Sequence, residues 1–314
     1  MTALRAALPL PPLLAAIAVV GLVELVLLRF LYRIGLFIPR EGPFLDVYRL
    51  ATWLGSFAFD LATVLALAAL AALALLSWRA RRAEAVAFGA LFLLAMVVPV
   101  AGDASAASVA FPLAVLGAVG TIAARELRAR ESPAVDRIAA VAVALVIALA
   151  EWRILAQALA AATGSEANVL LPDPVLGEAA ALGAAGMLAV AARARARRPA
   201  LALGAATVSA VALTAALVVQ PYVAGILLLW GVGITLALPL PLYVGAFAAL
   251  AGATVAELDG PGGRDRAAAI GMLVAAGIVP QATTHALLAV VALAALSSRP
   301  RPAPARPRPV LSLA

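Results

Sequence analysis

Charged side chains inside long apolar runs are few in this sequence, and they are where chemistry could concentrate. Glu24, Arg29, Asp60, Glu151 and Arg153 all fall in such runs, and Gln157 follows Arg153 by four residues, one helical turn along the same face. An ionised group in hydrocarbon costs roughly 3 kcal/mol or more and is kept where it has a partner or a task. If their helices converge, three carboxylates and two guanidiniums form one polar cluster. A carboxyl group there is pulled two ways, because burial disfavours its charged form and a neighbouring guanidinium favours it. Proton-coupled carriers exploit that balance. The two arginines could instead clamp a carboxylate or phosphate on a substrate or lipid headgroup. The structural alternative is a set of ion pairs that fix helix register, with Arg29 and Arg33 reaching to the headgroups. For Asp60, a position about two turns below the interface needs no task at all.

A second polar patch carries no formal charge. Gly277-Ile278-Val279-Pro280-Gln281, followed by Thr283, Thr284 and His285, places two helix-breaking residues beside four polar side chains. Interrupted backbone at membrane depth is tolerated where it is buried in protein or lines a cavity, so Gln281, Thr284 and His285 join the candidate substrate-binding or proton-coupling residues. The simplest state for His285 is a neutral imidazole hydrogen-bonded to a carbonyl or hydroxyl.

Absent residue types exclude much else. His285 is the single histidine and there is no cysteine, which removes disulfides, thiolate nucleophiles, Cys-ligated clusters and multi-histidine metal sites. All 23 basic residues are arginine, so Schiff-base chemistry on lysine is also excluded. No phosphate-binding glycine loop, Gly-x-Ser-x-Gly or His-Glu-x-x-His occurs. No cofactor and no metal are expected.

The elements that must position these groups follow from composition. With 314 residues, 65% hydrophobic and 12% charged, the chain has too little polar surface to face water, and its mean hydropathy is +1.09. Apolar runs rich in Ala, Leu and Val predict an all-α, polytopic transmembrane helix bundle with about ten spans. The first runs from about Pro12 to Arg33. It follows Arg5 as a signal peptide would, but no small-x-small cleavage site follows, so it reads as a retained helix. Six more fall near Leu50 to Trp78, Val86 to Ala101, Ala106 to Ala124, Ile138 to Ala162, Leu176 to Ala192 and Leu201 to Val219. Pro221 to Leu258 is too long for one crossing and is divided by Pro239 and Pro241 into two. Ala267 to Ser297 is the tenth, kinked or broken at Gly277 and Pro280.

The +7 charge reads as a topology signal rather than a nucleic-acid footprint, because most arginines stand in short loops and the tail. On the ten-span reading, sixteen arginines lie on the side holding both termini: Arg5, those between positions 79–82, 125–137 and 193–198, and those from Arg299 onward. Six lie opposite: Arg29, Arg33, Arg40, Arg49, Arg264 and Arg266. Both termini are therefore expected in the cytoplasm of a prokaryote, in a multi-pass protein of the cytoplasmic membrane. Residues 1–297 read as one transmembrane domain and 298–314 as a Pro/Arg-rich, disordered cytoplasmic tail. The bilayer is the first expected partner; a membrane-protein partner or a second copy of the chain is the other.

Three functional classes remain. A permease-like secondary transporter of a small or lipid-like substrate fits buried charge with interrupted helices and no nucleotide-binding domain. A non-catalytic subunit of a larger membrane complex fits the scarcity of polar residues in most spans. An enzyme acting on a lipid-linked substrate at the outer face rests only on Glu41 and Asp46 in the first outer loop. The interior discriminates the first two: a wettable route to the charges favours transport, and charges paired off in a dry core favour a scaffold.

Overall fold

A computed structural model of the chain describes residues 10–30, 42–80, 82–101, 106–129, 133–163, 174–219, 239–260, 263–277 and 283–297. Among these every regular element is helical: α1 (Leu10–Glu24), continued by a π-helical turn (Leu25–Phe30), α2 (Pro43–Arg79), α3 (Glu84–Ala101), α4 (Ala106–Arg128), α5 (Ala134–Thr163), α6 (Pro174–Arg193), α7 (Pro199–Val219), α8 (Pro239–Asp259), α9 (Arg264–Ala275) and α10 (Thr283–Ser297). The tail, Glu41 and Gln281 lie outside the described residues.

Local chemistry sets the helix ends. Pro43, Pro174, Pro199 and Pro239 each open a helix, where a missing N–H leaves no hydrogen bond unmade. Within helices, Thr207 and Thr254 return their hydroxyls to the carbonyl four residues back, so the polar atom is satisfied without a partner from outside. Leu75, Leu93, Val100, Val190, Leu203 and Val208 are exposed, an outward apolar surface that suits lipid rather than water. Among the described residues, six helices are long and apolar enough to cross a membrane: Leu10–Arg29, Pro43–Arg79, Ala106–Arg128, Ala134–Thr163, Leu176–Arg193 and Pro241–Asp259. Shorter apolar helices cover Glu84–Val100, Pro199–Thr214 and Thr283–Ser297.

Sequence neighbours pack side by side from α1 through α6, and α8 closes against α6 and α7. At the centre stands α10, buried along nearly its whole length and touching α2, α4, α5 and α9.

The stretch expected to be a tenth crossing is a hairpin of two short helices instead. A β-carbon on Gly271 would lie 3.4 Å from Ala18 Cβ, and one on Gly21 2.8 Å from Ala275 Cβ, so α9 runs parallel to α1. Leu288 lies against Gly21 and His285 against Glu24, so α10 runs antiparallel to α1. Gly277, at φ +82°, lies between them in the left-handed region that glycine enters without strain. At 12 and 15 residues, each arm rises only about 18 to 23 Å, short of the roughly 30 Å slab. The hairpin therefore enters and leaves at one end of the bundle.

That geometry corrects the side assigned to two arginines. Arg266 holds the same two carboxylates as Arg195, so Arg264 and Arg266 stand at the end occupied by Arg195 rather than opposite it.

Candidate functional site at the hairpin tip

The polar site is built where α1 loses regular α-helical winding. Glu24 closes the α-helical part, and the π turn that follows brings Arg29 back onto it. Arg29 Nη2 donates to Glu24 Oε2 at 2.9 Å. The same nitrogen donates to the carbonyl of Ala275, the last residue of α9. A helix end exposes unpaired carbonyls and a partial negative charge, so a guanidinium there satisfies both. Room for this approach comes from Gly55 of α2, where a β-carbon would stand 2.8 Å from the Leu28 backbone nitrogen.

The first turn of α10 faces the same place. His285 Nε2 lies 3.9 Å from Glu24 Oε2, and its ring meets Phe59 edge-on with centroids 6.0 Å apart. Thr284 Oγ1 and Thr63 Oγ1 share a hydrogen bond of 2.8 Å, tying the hairpin to α2. Two ends of short helices thus converge, a C-terminal one capped by Arg29 and an N-terminal one beside Glu24, the arrangement that suits charged ligands in discontinuous membrane helices. Glu24 is 2% exposed and His285 8%, yet Glu24 Oε1 and both ring nitrogens make no hydrogen bond. Buried polar atoms are seldom left so, and these mark where a further group would bond. The expectation that a carbonyl or hydroxyl satisfies His285 is not met.

The five-charge cluster does not form as expected. Asp60, Arg153 and Gln157 are exposed. Two residues turn a helix by roughly 200°, so Arg153 must leave the bundle if Glu151 enters it. Gln157 follows Arg153 outward. Phe59 and Thr63 take the inward face of α2 and rotate Asp60 away. Glu151 is fully buried on α5, with neither oxygen hydrogen-bonded. The Arg29–Arg153 clamp is therefore replaced by Arg29 alone, with Glu24, His285 and Thr284. Asp46, half of the acidic pair considered for an enzyme, is exposed and lies 3.9 Å from Arg49.

Sequence reasoning missed a second charged constellation. Arg195 donates to Asp136 Oδ1 at 2.9 Å and to both oxygens of Glu257. Arg266 donates to Asp136 Oδ1 and Glu257 Oε1, each at 3.0 Å. Two cations and two buried anions close a ring joining the start of α5, the turn after α6, the end of α8 and the start of α9. Burial works against the Arg195 cation, but the bonds and charges of Glu257 and Asp136 outweigh it and hold its pKa above the ordinary value. The available signal was the acidic residues near helix ends, which an arginine count passes over.

Below the ring lies a small apolar cavity lined by Val143, Val146, Ala184, Leu188, Leu250 and Leu273, among others. The chain matches no protein-family description, no curated protein and no solved structure.

Proposed function

We propose that this chain is a permease-like secondary transporter of a small or lipid-like substrate, acting in the cytoplasmic membrane of a prokaryote. The observation that carries the reading is the interrupted hairpin, whose two helix ends meet Glu24, Arg29 and His285 with buried polar atoms left unbonded. Arg29 and the α10 N-terminus suit a negatively charged group, and Glu24 and His285 are the protonatable side chains that stand beside it. Both termini belong in the cytoplasm on this reading. Moving Arg264 and Arg266 to the Arg195 end strengthens the arginine bias that supports it.

Proteoliposomes enclosing a pH indicator, challenged in turn with monocarboxylates, amino acids, sugars and phosphate esters, test the proposal. The wild-type protein is expected to move protons with at least one of them, and Glu24→Gln with none. A response that survives both Glu24→Gln and Arg29→Ala sinks the reading.

The apolar cavity favours a second reading, a non-catalytic subunit of a larger membrane complex. Native purification that returns only this chain removes it.

A further inference from the structure

The first third of α2 stands clear of the bundle. Gly55 meets the backbone of Leu28, and Leu28 lies one residue inside the end of the apolar span Leu10–Arg29, whose length matches the roughly 30 Å slab. Pro43 to Leu54 lies past that point and rises about 18 Å further. The elements packed on α2 are α1 with its π turn, α3 and α10. Among the described residues none of them reaches so far. The π turn ends within a turn of Gly55, and α10 begins lower, where Thr284 bonds Thr63. Returning from Arg79, α3 ends at Ala101, about two turns below Gly55. From Pro43 to Leu54 no side chain is buried.

This projecting stretch is not a polar stalk. Val47, Leu50, Leu54, Phe57, Leu61 and Val64 follow one another at alternating spacings of three and four, a heptad repeat that keeps one apolar stripe along the helix. Val47 is 66% exposed, Leu50 57% and Phe57 58%. Arg49, Thr52 and Ser56 fall on the opposite half of the helix, and Gly55, which faces α1, points well away from the stripe. Trp53 stacks on Phe57 with ring centroids 6.3 Å apart and widens one edge, while Asp46 pairs with Arg49 of its own helix. Within the slab acyl chains cover such a stripe. Beyond it the neighbour is water, and a row of large exposed apolar side chains there marks a contact surface.

We propose that the stripe is the seam between two copies of the chain, whose α2 helices pair as a parallel coiled coil past the end of α1. Lipid imposes no period on the surface it covers, whereas a helical partner selects the 3.5-residue average spacing that Val47 to Val64 keep. Two copies inserted with the same sidedness carry the stripe at the same height. A half-turn about the membrane normal then brings like residues face to face, the isologous contact of a twofold dimer. No charged side chain belongs to the stripe, so the seam closes without burying an unpaired ion. The inference stands apart from the transporter reading.

Because the chain has no cysteine of its own, single cysteines read the seam in the native membrane. Under mild oxidation Val47→Cys, Leu50→Cys and Leu54→Cys are expected to give a disulfide-linked species of twice the 31.6 kDa chain mass, several-fold more of it than Arg49→Cys, Thr52→Cys or Ser56→Cys. Equal yields all round the helix mean random collision and overturn the proposal. Absence of dimer overturns it too. Stripe cysteines then shielded from a water-soluble maleimide assign the cover to the membrane surface, accessible ones leave the stripe bare, and a conjugate of another mass assigns it to a different protein. Leu50 is free of the bundle, so Leu50→Glu is expected to abolish the Val47→Cys dimer at unchanged membrane levels, and a dimer that survives it also sinks the proposal. No substrate enters the experiment, so its result and that of the transport assay at Glu24 are independent.

Discussion

Gly55 shows how narrowly one residue sets the Glu24 and Arg29 geometry. Its missing side chain lets α2 touch the backbone of the π turn, and a methyl group at 2.8 Å from the Leu28 nitrogen would meet backbone, which has little freedom to yield. Gly55→Ala is expected to lower stability by about 1–3 kcal/mol, read as a fall in the unfolding temperature in detergent. Unchanged stability would mean that α2 and α1 part easily. Side-chain identity alone made Glu24 and Arg29 legible, because a carboxylate followed five residues later by a guanidinium in an apolar run leaves few other ways to be satisfied. Arg153 and Asp60 were not legible in the same way. Their direction depends on which face of a uniformly apolar helix turns inward, and runs of Ala and Leu on both faces carry almost no signal of that.

At the scale of elements, the sequence announced an interruption at Gly277 and Pro280, but not that the chain turns back there. A kinked single crossing and a helix pair folded back on itself share the same pattern of apolar residues and breakers. Only long-range contacts, Gly21 with Ala275 and Glu24 with His285, distinguish them. The charged ring was invisible for a similar reason, since its members come from positions 136, 195, 257 and 266. Removing one member leaves two guanidiniums facing a single carboxylate. Glu257→Gln is expected to cost about 3 kcal/mol, measured by thermal unfolding. Arg195, with its pKa raised on folding, contributes stability at every pH below its ordinary value and loses it only as pH rises through the higher folded one. The loss in Glu257→Gln should therefore be the same at neutral and mildly alkaline pH. A loss that fades between them would mean that the arginines are not the partners that matter.

At the scale of the whole molecule, the helical, membrane-suited character of the described residues was legible from composition, because long unbroken runs of Ala, Leu and Val lack the alternation of a barrel strand and satisfy their backbone as helices. The sidedness of its later parts was not, since it depends on whether the stretch around Gly277 crosses or returns. The natural absence of cysteine makes that testable. Single cysteines at Arg197 and Asp265, both exposed, are expected to react with a membrane-impermeant maleimide from one face, and a cysteine at Asp46 from the other. Reaction of Arg197→Cys and Asp265→Cys from opposite faces would restore the single crossing.

The enclosure of α10 bears on how the molecule is made. Ribosomes deliver helices in order, so α2, α4, α5 and α9 reach the bilayer before the segment that fills the space among them. Until it arrives, that space must be collapsed or occupied by acyl chains. The final step of assembly is then a displacement, with the late helix evicting lipid or prising its neighbours apart before the bundle can close.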